Sequence, residues 1–198
     1  MPQMNKGGKF IFGKSLIRTD GTLRIPPQAM EEYHIADEGK VYLFTGSKIT
    51  GGFCVTRKGL LHPSKLGHIL DDTPPLLDYS AGSGEFIKYK GRSYCWVEIS
   101  QEGQILLTKK MMDFLKVRPG MELLSIRSSD IAFTMGAKGP LLEKAENYDG
   151  EIPLFFKCNN FQLCAQLRVC SQAGGIPVYP RFSQPDNSES WDDAGNGI

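Results

Sequence analysis

The feature that most constrains this chain is an internal duplication, in which one order of turns, strands and short helices occurs twice. The first copy covers residues 8–61 and the second covers residues 84–145. Sequence identity between the copies is low, but the order of their glycine and proline positions is kept. Such self-similarity is the sequence signature of a repeated structural unit. The duplication therefore predicts two similar units, joined by a linker at 62–83.

Each copy predicts a strand, a glycine turn, a second strand, one short helix, and then two strands joined by a hairpin. Apolar and polar residues alternate in the short second strand, which is typical of a strand with one buried face. The matching segments are the openings 8–11 and 84–87, the turns 19–22 and 101–104, the strands 23–25 and 105–107, the helix starts 26–30 and 108–112, the later strands 40–44 and 122–126, and the closing segments 58–61 and 138–142.

The two short helices have recognisable start signals. Pro27 suits a first helical position, where its missing N–H would be unpaired in any case. Thr108 is a favourable N-cap for the second helix. In that helix Met111, Phe114 and Leu115 have the spacing of one helix face, so we expect them to pack in the core.

Composition supports a mainly β protein with short helices. The chain of 198 residues contains 22 glycines and 12 prolines, which favours many short strands joined by turns. No run of about 18 apolar residues is present, so no membrane-spanning helix and no membrane partner are predicted. The first residues lack the apolar region of a signal peptide, and we therefore expect a cytoplasmic protein.

The C-terminal part carries a different pattern. Apolar and polar residues alternate from Phe161 to Val169, which predicts a strand. Together with the apolar segment 152–157 and a turn at 159–160, this pattern predicts a β-hairpin extension at 150–182. Residues 183–198 are polar and acidic, and we predict a disordered tail there.

The sequence contains no arrangement that is typical of an enzyme. The three histidines have no serine, cysteine or carboxylate partner at a recognisable spacing, and no glycine-rich phosphate loop is present. The cysteines show no spacing typical of metal ligands. We predict no catalytic residue, no metal ion and no cofactor. The cysteines are Cys54, Cys95, Cys158, Cys164 and Cys170.

Basic residues are concentrated in two places. The net charge is +1 for the whole chain, but residues 1–30 contain five basic side chains against Asp20 alone. In the second copy, Lys88, Lys90 and Arg92 are spaced by two, which would place them on one face of an extended segment. Two lysines at a helix start are mildly unfavourable for folding, which suggests another use. The candidate DNA-binding residues are Lys14, Arg18, Arg24, Lys88, Lys90, Arg92, Lys109 and Lys110.

The pattern of a glycine turn, a strand, Ile-Pro, a short helix and a further glycine resembles the AbrB-type swapped-hairpin domain, the SpoVT-AbrB/MraZ-like family. The segments that carry this resemblance in the first copy are 20–26 and 35–39. Thr108 stands in the second copy where the family usually has proline. The residues of the second copy that keep the pattern are Gly103, Leu107, Val117, Pro119 and Gly120.

The resemblance implies both a fold and a function. Two copies of such a unit interleave their hairpins into one β-barrel, which in this chain would form as an intrachain pseudo-dimer. Family members are mostly DNA-binding regulators, with basic side chains before the turn and on the short helix. Here Glu31 and Glu32 occupy the first helix, and carboxylates near a phosphate backbone oppose binding.

The sequence therefore leaves two functions of different classes open. The first is a transcriptional regulator that binds double-stranded DNA, with lysines contacting phosphates and arginines reading base edges. The second is a protein-interaction or oligomerisation module that has kept the barrel without DNA binding. In that case the C-terminal hairpin would dock a partner or pair chains into a homo-oligomer, or would simply cover a barrel edge. The residues of that apolar hairpin are Phe155, Phe156, Phe161 and Leu163.

Overall fold

The computed structural model of the chain describes residues 10–156. These residues form a mainly β structure with short helices, in the order that the duplication predicts. In the first half, the structure contains β1 (Ile11–Leu16), β2 (Thr22–Arg24), α1 (Pro27–Tyr33), β3 (Lys40–Thr45), β4 (Phe53–Thr56) and α2 (Lys58–Leu61).

The second half repeats this order after two linker helices, and it contains one additional strand at its start. The linker helices are α3 (His68–Asp72) and α4 (Pro74–Leu77). The following elements are β5 (Ile87–Tyr89), β6 (Arg92–Glu98), β7 (Gln104–Leu106), α5 (Lys109–Leu115), β8 (Glu122–Arg127), β9 (Phe133–Gly136), α6 (Pro140–Glu146) and β10 (Leu154–Phe155). The counterpart of β1 is therefore β6, and not the segment 84–87 with which the sequence alignment paired it.

Strands of the two halves pair with each other. In the main sheet β1 lies antiparallel to β8, and β3 lies antiparallel to β6. The hairpins β3–β4 and β8–β9 meet through pairing of β4 with β9. A separate two-stranded ribbon joins β2 to β7. Backbone hydrogen bonds between strands of the two halves therefore join both halves in the main sheet and in the ribbon.

The eight-stranded sheet is an open row and not the closed barrel that the sequence analysis predicts. Its strand order is β10-β1-β8-β9-β4-β3-β6-β5, and the sheet is mixed because β10 runs parallel to β1. The outer edge of β1 pairs with β10, and the outer edge of β6 pairs with β5. Because these two edges pair with β10 and β5, they do not pair with each other.

The main core is built from side chains of both halves. Phe12, Tyr33 and Phe133 are buried at its centre, and their ring centroids lie 5.2–6.3 Å apart. Two smaller clusters lie outside this core. One packs the linker helices against residues of β3, β4 and β6, and the other packs α6 against β1 and β8. Short helices therefore cover parts of the sheet that the main core leaves open.

The linker is folded onto the sheet: its prolines and glycines suggest a tether, but its apolar Leu76 and Leu77 suggest docking on a neighbour, and both pack in one cluster. Leu70 and Leu76 are fully buried. The Tyr42 hydroxyl donates a hydrogen bond to the carbonyl of Leu76 at 2.7 Å, and Trp96 Nε1 donates one to the carbonyl of Ala81 at 2.8 Å. The buried side chains of Leu70 and Leu76 thus fix the linker against the sheet, although its prolines and glycines are typical of a loop.

The local signals of the second helix are largely confirmed. The Thr108 hydroxyl accepts a hydrogen bond from the backbone N–H of Met111, as expected of an N-cap. Met111 and Leu115 are buried, but Phe114 is 48% exposed. Its ring stacks on that of Phe86 with the centroids 4.2 Å apart. Phe114 therefore lies at the margin of the buried face of α5, where Phe86 covers part of its ring.

Most of the predicted C-terminal hairpin at 150–182, and the whole predicted tail at 183–198, lie outside the described residues. The part that is described forms β10, which pairs Lys14 with Leu154 and Ser15 with Phe155. This contact covers the edge of β1. Within residues 10–156, no helix has the length and apolar character needed to cross a membrane.

Replacing Leu76 with alanine tests whether the linker helices are part of the folded unit. We expect Leu76→Ala to lower the free energy of unfolding by about 2–4 kcal/mol, because it leaves a cavity against the sheet. Urea denaturation measures the change. Leu66 in the same linker is 36% exposed, so Leu66→Ala is the matched control and should cost under about 1 kcal/mol. Equal effects of the two variants would contradict a packed linker.

Burial of Cys95 in β6 gives a pH-dependent prediction. Desolvation raises the pKa of this thiol from 9.0 to about 12. The unfolded thiol ionises first as the pH rises, so this group makes the free energy of unfolding fall between about pH 9 and pH 12. We also expect Cys95 to resist iodoacetamide in the native protein and to react in denaturant, because only the thiolate is nucleophilic. Peptide mapping by mass spectrometry checks this, and rapid native labelling of Cys95 would contradict it.

Candidate nucleic-acid interface

The two glycine turns lie at opposite ends of the β2–β7 ribbon, each against the helix start of the other half. The N–H of Leu107 donates a hydrogen bond to the carbonyl of Gly21 at 2.9 Å, and the N–H of Ile25 donates one to the carbonyl of Gly103 at 2.9 Å. The two bonds are reciprocal. Each end of the ribbon therefore combines a turn of one half with a helix of the other.

We call the first of these ends the basic edge. It consists of the β1–β2 turn at 18–21 and of α5 with the residues that follow it. The segment after α5 is fixed beside the turn, since the N–H of Gly120 donates to the carbonyl of Ile17 at 2.8 Å. Lys109 and Lys110 are exposed. The charged residues of the basic edge are Arg18, Asp20, Lys109, Lys110, Asp113, Lys116 and Arg118.

We call the second end the acidic edge. It consists of the β6–β7 turn at 100–103 and of α1 with residues 34–37. The side-chain amide of Gln101 lies 3.5 Å from the carbonyl of Ala36, to which it donates a hydrogen bond. The surface between turn and helix is a shallow concavity of about 380 Å³. The charged residues that line it are Arg24, Glu31, Asp37 and Glu102.

The turn of the basic edge is held by Asp20. Its Oδ1 accepts hydrogen bonds from the Thr22 hydroxyl at 2.6 Å and from the Thr22 backbone N–H at 2.9 Å. These bonds lower the pKa of Asp20 below its usual value. The Arg18 guanidinium lies 3.9 Å from the same carboxylate. Asp20 is thus an anion that orders the turn and orients the adjacent arginine.

Two predicted site residues of the first half lie away from the basic edge. The Lys14 ammonium forms an ion pair with Glu122 at 3.1 Å, and its side chain is only 18% exposed. Arg24 lies on β2 at the acidic edge, opposite Gln104. Its Nε is buried without a hydrogen-bond partner in the part of the chain that the structure describes. Neither side chain is grouped with Arg18.

The prediction that Lys88, Lys90 and Arg92 share one face of an extended segment is wrong. Lys90 and Gly91 both have positive φ angles, of 42° and 82°, so the chain reverses there in a two-residue hairpin turn. Lys88 pairs with Ser93, whereas Arg92 pairs with Tyr89. Because neighbouring pairs of a ladder point to opposite faces, Lys88 and Arg92 lie on opposite faces of the hairpin.

The tip of this hairpin packs towards the linker. The Tyr89 hydroxyl donates a hydrogen bond to the carboxylate of Asp72 in α3. The Lys90 ammonium lies 5.0 Å from the centroid of the Tyr89 ring, and the Arg92 guanidinium lies 5.4 Å from that of Phe44. The tip is therefore anchored at the start of β6, whereas the far end of β6 leads to the turn of the acidic edge.

Glu32, which the sequence analysis counts against DNA binding, is occupied by an internal contact. Its carboxylate lies 2.5 Å from Nε of Arg127. This neighbouring charge raises the pKa of Arg127. Glu31 is exposed at the acidic edge and remains available to repel an anion.

Sequence reasoning missed two basic residues of the basic edge. Lys116 ends α5 in a left-handed conformation with a φ of 55°, and Arg118 follows two residues later; both are exposed. The signal that could have found them is their place beside the predicted glycine turn after the helix. Their grouping with Arg18 follows only from the pairing between halves.

No protein-family model matches this chain, and no curated protein matches its sequence. Among residues 10–156, no group of three or more histidine, cysteine, aspartate or glutamate side chains is placed to hold a metal ion. The features on which a function can be proposed are therefore the charges and contacts of the two edges.

A substitution at Gly21 tests the close contact between the turn and the start of α5. Gly21 has a φ of 79°, and a Cβ atom there would clash with the carbonyl oxygen of Leu107. Gly39 has a φ of 63° with no neighbouring atom within 4 Å of such a Cβ. We expect Gly39→Ala to cost about 1–2 kcal/mol from backbone strain alone. Gly21→Ala should cost at least about 1 kcal/mol more, because a backbone carbonyl must also move.

Thermal and urea unfolding of the two glycine variants provide the comparison. If Gly21→Ala is no more destabilising than Gly39→Ala, the turn does not lie against the start of α5 as described.

Proposed function

We propose that this protein is a DNA-binding transcriptional regulator of the AbrB type, in which two similar halves of one chain intertwine and present a basic surface to duplex DNA. The pairing of β1 with β8 and of β3 with β6 supports this proposal, because an intertwined fold requires strands of one half to complete the sheet of the other. The reciprocal contacts of the two glycine turns support it in the same way.

The observation that carries the proposal is the basic edge. Five basic side chains surround one turn and one helix there, against two carboxylates. One of those carboxylates, Asp20, is engaged by Thr22 within the turn. Phosphate groups are attracted by clustered lysine and arginine side chains, which supply most of the salt-dependent affinity for DNA.

The members of the basic edge have different roles in this proposal. Lys109 and Lys110 are exposed on the first turn of α5, where they contact phosphates and set the position of the duplex. Arg18 lies in the turn beside Asp20, and its side chain is 22% exposed. Its planar guanidinium suits base edges, above all guanine, in the major groove.

The other predicted basic residues take a lesser part. Lys88, Lys90 and Arg92 form an exposed basic tip on the β5–β6 hairpin, which raises the local concentration of a polyanion. Lys14 is already paired with Glu122.

Duplex binding and its salt dependence test the proposal directly. Fluorescence anisotropy with a labelled duplex should show binding at low salt, with a log–log slope of about −3 to −5, because three to five phosphates are neutralised. The double charge reversal Lys109→Glu with Lys110→Glu should weaken binding to every duplex by more than about tenfold. The matched control is Lys48→Glu with Lys65→Glu, which reverses two exposed lysines in the β3–β4 turn and the linker.

The outcomes separate the two functions that the sequence leaves open. Loss of binding in the first double variant with retention in the control supports the regulator, and selection of bound fragments from random DNA then gives its preferred sequence. Absence of duplex binding by the unaltered protein at low salt would overturn the proposal. A protein-interaction module would then be the remaining interpretation.

A further inference from the structure

The basic edge and the acidic edge are structurally equivalent. Helices α1 and α5 each contain 7 residues, and each ends in a left-handed residue, His34 with a φ of 48° and Lys116 with a φ of 55°. The glycines of the two turns, Gly21 and Gly103, have φ angles of 79° and 77°. Equivalent backbones at the two ends of the β2–β7 ribbon therefore carry different side chains.

The two edges differ mainly in their cations, because Glu31 and Glu102 of the acidic edge have acidic counterparts, Asp113 and Asp20, on the basic edge. In the helices, Lys109 and Lys110 correspond to Pro27 and Gln28. At the helix ends, Lys116 corresponds to His34. The basic edge has five basic and two acidic residues, whereas the acidic edge has Arg24 against four acidic residues, of which Glu32 is paired with Arg127.

The carboxylates of the acidic edge are available to repel DNA. Glu31, Asp37 and Glu102 are exposed, and none of them forms an ion pair among the described residues. Glu102 only accepts a hydrogen bond from the hydroxyl of Ser100, at 2.9 Å. Bringing a phosphate backbone to this surface would place like charges together, with Arg24 as the one arginine or lysine in the lining of the concavity.

We propose that duplex DNA binds to the basic edge only, so that one chain recognises a single, asymmetric DNA segment. This inference rests on the proposed function and makes it more specific. A duplicated fold with two active edges would read two related half-sites, as symmetric dimers do. Here the second edge is excluded by its charge, and the preferred sequence should lack two-fold symmetry within the segment that one chain contacts.

Two variants at equivalent positions test the inference. Lys110 and Gln28 are each the second residue of their helix, and both are exposed. Lys110→Gln and Gln28→Glu each subtract one positive charge unit from the protein. We expect Lys110→Gln to weaken duplex binding roughly fivefold and to reduce the salt slope by about 1. Gln28→Glu should change the affinity by less than about twofold, because no phosphate lies near it.

Thermal unfolding confirms that both variants fold. Hydroxyl-radical footprinting of the unaltered protein on its selected duplex, with the number of bound chains measured by sedimentation, should show one protected segment per chain. Equal loss of affinity in the two variants, or two symmetric protected segments per chain, would overturn the one-edge inference while leaving duplex binding intact. Failure of the unaltered protein to bind any duplex would instead overturn the proposed function, and this inference with it.

Discussion

Hydrogen bonding between strands of the two halves is the interaction on which the rest of this structure depends. Strands β1 and β6 each lie against a strand of the other half, and the main core takes side chains from both halves. A half on its own would leave the polar backbone of these strands unpaired and one face of its sheet uncovered. The same pairing brings each glycine turn against a helix of the other half, which creates the two edges.

The order of elements could be predicted because its signals are local. The N-cap at Thr108 and the helix start at Pro27 depend on residues within one or two turns of a helix. The fold of the linker depends instead on contacts distant in sequence, such as the hydrogen bond from Tyr42 to Leu76. The prolines and glycines of that segment indicate a linker, and its apolar Leu76 and Leu77 suggest docking on a neighbour, but no local pattern shows which surface they cover.

The candidate site could be predicted only as single residues. Arg18, Lys109 and Lys110 follow from their places in the repeat, but their grouping requires knowledge of which turn meets which helix. The error at Lys88 and Arg92 has a different cause. A spacing of two places side chains on one face only while the strand continues, and the turn at Lys90 and Gly91 reverses the chain between them.

The presence of both halves on one polypeptide has a consequence for how such a protein can change. In a homodimer, one codon specifies the same residue in both subunits. A substitution that introduces a glutamate on one subunit therefore introduces it on the other as well. Here Gln28 and Lys110 are encoded separately although they occupy equivalent backbone positions. Because the two surfaces are encoded separately, their side chains can differ although strands of the two halves occur in a similar order in the sheet.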